Sequence, residues 1–312
     1  MASMEQIQAA LRSGEERTLG LLEERQRIRQ ERAAALNAAE MTAAEALPTV
    51  GSTVLNSAGP ITLGTLVAEG DSWFDYPFND VLKVLEDSYG YEVESVAHRG
   101  DEIEEMAYSG GQLDGLLRVL EKVHRRSVPI KAVLLSGGGN DISGKHFRML
   151  LNHAASPLAN LSDGVAQAVI DERILTAYVT ILSAVTKACT ESLGAPVPIL
   201  VHGYDYPVPD GRGFLGGWGP LPGPWLEPGF RDKGFGDLQR RKEIMVDLMD
   251  RFNDMLQRIV SLPAFGHVHY LDLRNTLSTD QGTYKQWWAN ELHPRKEGFE
   301  KIARQFHQVL SP

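Results

Sequence analysis

A serine hydroxyl attacks a carbonyl only if a base removes its proton, and the oxyanion that forms needs donors aimed at it. Three stretches of this chain supply residues of those types. In LVAEGDSWFDYP (66–77) an apolar run stops at Gly-Asp-Ser, which places Ser72 just past a strand end. In LLSGGGNDISG (134–144) a second apolar run ends in three glycines, which let the backbone bend tightly, and then Asn140, whose amide can donate into a site. In WANELHPRKEGFEKIA (288–303) His293 stands before a proline at the start of a helical pattern. Each has a plain alternative: a turn serine, an Asx-capped turn, and a histidine that only opens a helix.

The elements that must position these residues follow from periodicity. Short apolar runs at 63–70, 91–97, 130–136, 197–203 and 268–273 read as strands. Helical patterns lie between them: VLKVLEDS, then 103–123, 174–193 and 238–260, with a last one carrying Phe299, Ile302, Phe306, Val309 and Leu310 on one face. Strands alternating with helices imply parallel crossovers and a sheet covered on both faces. In such sheets ligands sit at the carboxyl ends of strands, where Ser72 and Asn140 fall. Residues 1–60 read as an appended helical extension followed by a Pro/Gly/Ser linker (48–60), and 61–312 as the main domain. Pairing of subunits through the N-terminal helices is one use of such an extension, although Arg25 and Arg32 interrupt any heptad seam. The segment 208–236 is Gly/Pro-rich and carries Phe214, Trp218, Trp225 and Phe230, the composition expected of a mobile cover.

Composition narrows the partners. Forty-one acidic against 31 basic residues give a net charge of −10, which repels phosphate backbones and anionic lipid. Nucleic acid and membrane insertion are therefore not expected. The N-terminal residues are charged from position 5 and lack an apolar h-region, so the reading is cytoplasmic, although a mature form stripped of its leader would read the same. The lone Cys189 excludes an internal disulfide. A near P-loop at 139–145 has His146 where a magnesium-binding Ser/Thr is required, and His267 and His269 lack a convincing third metal ligand.

Together the blocks resemble the SGNH (GDSL) hydrolase superfamily, in that family's order: Gly70-Asp71-Ser72-Trp73, a lone Gly100, Gly138-Gly139-Asn140-Asp141, and Asn290-Glu291-Leu292-His293-Pro294. The resemblance runs from about residue 63 to 310. It implies a flavodoxin-like three-layer α/β/α sandwich with a five-stranded parallel sheet in the order 2-1-3-4-5. It also implies a carboxylic-ester hydrolase acting through an acyl-enzyme on Ser72. His293 would be the base, and the backbone N–H of Ser72, the backbone N–H of Gly100 and the Asn140 amide would form the oxyanion hole, with no metal or organic cofactor. The contrasting reading is an impaired member that binds an ester or glycan without efficient turnover. Trp73, Trp218, Trp225 and Trp288, with Phe74 and Trp287, are candidates to line the substrate pocket. An unperturbed imidazole would make activity rise through about pH 6.5.

One position departs from the pattern. Where the family places an aspartate, three residues before the histidine, this chain has Asn290. Asparagine can orient the ring but supplies no charge, and it can select the wrong tautomer, a change that costs about four orders of magnitude in serine proteases. Glu291 and Asp272 are the alternative carboxylates.

Overall fold

The computed structural model describes residues 2–43, 62–109, 111–217 and 220–311. The linker read at 48–60 lies outside them. Five strands form one parallel sheet: β1 (Thr65–Glu69), β2 (Glu92–Ser95), β3 (Ile130–Leu135), β4 (Ile199–His202) and β5 (Val268–Leu271), in the order β2-β1-β3-β4-β5. All four pairings are parallel, with Leu66 beside Val93 on one side and Ala132 on the other. Every residue of β1 and β4 is buried, as a sheet covered on both faces requires.

The principal helices are α1 (Met4–Ala43), α2 (Val81–Tyr89), α3 (Ile103–Tyr108), α4 (Gln112–Arg125), α5 (Leu175–Leu193), α6 (Leu238–Val260) and α7 (Lys296–Leu310). Local chemistry sets their ends. Asp80 caps α2 by accepting from Lys83 N at 2.8 Å, and Gly90 stops it in the left-handed region at φ 73°. The single helical pattern at 103–123 is in fact two helices, because Gly111 adopts φ 75° and restarts the chain at α4. Helix α2 packs against α7, while α3, α4, α5 and α6 form a second group, giving the three-layer α/β/α architecture.

The N-terminal helix is less independent than its composition suggests. Ala10, Gly14 and Thr18, one turn apart, are buried against α5. A Cβ at Gly14 would lie 2.4 Å from the Thr180 carbonyl oxygen, so the two backbones approach closely because that position is glycine. The contact is also polar: Thr18 donates to Ala184 O at 3.0 Å and Ser183 to Leu11 O at 2.7 Å. Arg25, which breaks a heptad seam, pairs with Asp114 and Glu121 on α4. The small-residue face of α1 is thus occupied within the chain. No helix among the described residues is long and apolar enough to cross a membrane.

Candidate active site

The site is built at the carboxyl edge of the sheet. After β1 the chain turns at Gly70, where a Cβ would lie 2.7 Å from Ser136 Cβ and 2.9 Å from Phe74. Asp71 holds the turn from beneath: one carboxylate oxygen accepts from Trp73 N at 3.0 Å and from the Ser136 hydroxyl at 2.8 Å, and the other from the Tyr204 hydroxyl. Ser72 is left at the surface of the turn, facing the loop that precedes α7.

That loop is folded back on itself. Ala289 N donates to His293 O at 2.9 Å and Arg295 N to Trp287 O at 2.7 Å, which aims the imidazole at β1. Ser72 Oγ lies 2.7 Å from His293 Nε2, and His293 Nδ1 lies 3.0 Å from Asn290 Oδ1. The orientation of the Asn290 amide is fixed independently of the imidazole. Its oxygen accepts the backbone N–H groups of Leu292 at 3.0 Å and of His293 at 2.9 Å, and its nitrogen donates to the Tyr76 hydroxyl at 2.9 Å. With the amide oxygen facing the ring, Nδ1 must carry the proton. Nε2 is then an acceptor and the serine hydroxyl its donor. The wrong-tautomer expectation is therefore corrected: backbone amides, not a charge, hold the asparagine in the useful direction.

The two alternative carboxylates are elsewhere. Glu291 is fully buried, but its carboxylate accepts four backbone N–H groups, from Gly211 (3.0 Å), Trp225 (2.6 Å), Leu226 (2.7 Å) and Glu227 (3.0 Å). Burial pushes its carboxyl upward against those four donors. Asp272 is engaged by Arg274, whose Nη2 lies 2.6 Å from it. Neither orients His293. The imidazole itself is buried and pushed down to about 3, with burial as the whole cause and no carboxylate acting on it. The expected titration near 6.5 is replaced by a histidine that stays neutral well into acid.

Gly100 and Asn140 come to the same place from two other strand ends. Gly100 adopts φ 95° in the turn after β2, and Asn140 opens a short helical turn after β3, where one amide hydrogen goes to Asp101 O at 2.9 Å. Both line a cleft of about 370 Å³ together with Ser72, His293, Tyr76 and Trp225. A second, inner cavity of about 40 Å³ lies behind Ser72 and His293, walled by Trp73, Ile142, Met245, Met249 and Trp288. The aromatic candidates therefore divide. Trp225 faces the cleft and meets His293 edge-on at 5.4 Å, and Trp73 and Trp288 face the inner cavity. Phe74 packs on Phe306 in the core and Trp287 lies under Lys301, both away from the cleft. Trp218 falls outside the described residues.

Sequence reasoning missed Tyr76 as a partner of Asn290 and Glu291 as an anchor. The segment 208–236, read as a mobile cover, is tied to the site at Gly211, Trp225, Leu226 and Glu227 by that one carboxylate, and Phe230 and Phe235 are buried.

No family model and no curated protein matches the chain. Among solved structures it is similar to a catalytic mutant of an acetylxylan esterase from Geobacillus stearothermophilus, at 14% identity and TM-score 0.41, covering 80% of this chain and 95% of that one. It is also similar to a provisionally assigned SGNH hydrolase from Slackia heliotrinireducens, at 12% identity and TM-score 0.43, covering 80% and 99%. The chain resembles the SGNH hydrolases. That resemblance rests on its own sheet order and on the order of its four blocks, and the chemistry of the site on its own geometry.

Proposed function

We propose that this protein is a cofactor-independent serine hydrolase of carboxylic esters with short acyl groups. The observation that supports this best is the continuous relay from Ser72 Oγ through His293 to Asn290 Oδ1, at 2.7 and 3.0 Å, opening on a cleft. Ser72 Oγ attacks the ester carbonyl while its proton passes to Nε2. The oxyanion is received by the N–H groups of Ser72 and Gly100 and by the Asn140 amide. Collapse expels the alcohol, which takes the proton from Nε2, and leaves an acyl-serine. Water then repeats the sequence and frees the acid and the serine.

The two spaces beside Ser72 differ in size, and this supports a division of the substrate. The inner cavity of about 40 Å³ suits a small acyl group such as acetyl, and the open cleft of about 370 Å³ suits a larger alcohol. Initial rates on p-nitrophenyl acetate, butyrate and octanoate test both claims. The acetate should be the fastest and the octanoate slower by at least about tenfold, and Ser72→Ala should hydrolyse none of them. Equal rates on acetate and octanoate would remove the short-acyl assignment, and turnover by Ser72→Ala would remove the serine.

A further inference from the structure

We propose that Tyr76 is a positioning residue of this site, replacing with its ring face part of the stabilisation that an aspartate would give the histidine, and holding the far end of the Asn290 amide with its hydroxyl. The proposal rests on the serine hydrolase reading above. During attack on the ester His293 becomes an imidazolium, and Asn290 offers it an oxygen but no charge. A buried cation without a counter-charge is costly, so something else must face it.

The groups on the cleft side of the ring come from three segments. From the turn after β1 come Ser72 and Tyr76, from the loop before α7 come Asn290 and Leu292, and from the covering segment comes Trp225. Among the described residues, the charged group on the same cleft is Arg99, a cation, which opposes imidazolium. Glu291 is turned to backbone N–H groups, and Asp71 to Trp73, Ser136 and Tyr204. Asp205, which lines the inner cavity, is turned to the backbone N–H groups of Tyr206, Asn275 and Leu277. Tyr76 lies flat on the imidazole, with centroids 4.2 Å apart and planes 17° from parallel. The negative face of an aromatic ring attracts a cation at this separation, and most strongly where water is excluded. The same side chain accepts from Asn290 Nδ2 at 2.9 Å. One residue therefore touches both the base and the group that orients it. Desolvation pushes the phenol up to about 12, so the ring acts as a neutral π face, not as a phenolate.

Substitutions separate the two contacts. Tyr76→Phe keeps the ring and loses the hydroxyl, and its kcat should fall by about fivefold, the worth of one neutral hydrogen bond. Tyr76→Leu loses both, and its kcat should fall by on the order of thirtyfold or more, the worth of a desolvated cation–π contact. The acid limb of kcat/KM should move to lower pH in the leucine variant or stay in place, because the charged imidazole has lost support. If Tyr76 only keeps water out, the limb moves to higher pH instead, since wetting the ring favours its charge. Melting temperatures of both variants check the fold, and phenylalanine is the conservative rescue. The proposal is overturned by a leucine variant within twofold of wild type, by an effect on KM alone, or by an upward shift of the limb. Ser72→Ala is run alongside. Hydrolysis by that variant overturns the serine reading and this proposal with it, whereas an inactive Ser72→Ala beside a fully active Tyr76→Leu overturns this proposal alone.

Discussion

In the proposed mechanism, Asn290 decides how far a histidine can work as a base without a carboxylate beside it. Its oxygen collects three donors, two of them backbone, so orientation is retained and only charge is missing. Asn290→Asp should therefore raise kcat several-fold and move the acid limb of the pH profile upward, because a carboxylate raises the affinity of the imidazole for protons. Asn290→Ala, which frees the ring, should lose about a hundredfold or more in kcat. Steady-state pH profiles of the two variants check this, and a fully active alanine variant would remove Asn290 from the site. Ser72, Asn140 and His293 were legible in the sequence because each sits in a short block beside a strand or helix end. Tyr76 lies only four residues beyond Ser72, yet its role was hidden, because its partners are more than 200 residues away and no local pattern predicts a ring stacked on a ring.

At the scale of elements, all five strands were readable, because each is a short apolar run between turn residues, and their parallel sense followed from the helices between them; their order came from the resemblance to the SGNH hydrolases. How the covering segment is held was not readable, for the opposite reason. Gly and Pro mark irregular backbone but do not say whether it is anchored, and here the anchor is a glutamate 64 to 80 residues further on. Glu291→Gln keeps one acceptor oxygen and puts an NH2 group against backbone donors. It should lower stability by about 2–3 kcal/mol and raise KM by loosening Trp225 over the cleft. Thermal melts, and proteolytic cutting between residues 211 and 227, report the two effects. A variant that melts like wild type and resists cutting would show that the carboxylate is not the anchor. In α1, likewise, composition gave the helix but not its partner, since the closest approach to α5 is made at Ala10, Gly14 and Thr18, small residues that form no apolar stripe, while Ile7, Leu11 and Leu21 pack on the core only partly buried.

For the whole molecule, buried ionisable groups set opposing pH dependences. Glu69, at the end of β1, is buried and pushed up to about 8 by desolvation, with one carboxylate oxygen accepting Gly70 N at 3.0 Å. The folded chain then holds a proton that the unfolded chain releases above about pH 4.5, so this stability is fully present in acid and is lost as pH rises through about 8. His293 acts in the other direction. The unfolded chain binds a proton as pH falls below 6.5 while the folded imidazole waits until about 3, so stability declines with acid across that window. Glu69→Gln should reduce the drop in Tm between pH 5 and pH 9 by on the order of a few degrees. An unchanged drop would place the alkaline loss in other groups.

The central claim is that Ser72 is a nucleophile armed by His293. It is tested most directly by the mass of the protein after brief exposure to a fluorophosphonate, which loses fluoride as the serine oxygen bonds to phosphorus. The folded wild-type protein should gain one phosphonyl group, mapped by peptide sequencing to Ser72, and Ser72→Ala should gain none. An unmodified wild-type protein, or an adduct that persists in Ser72→Ala, would contradict the account.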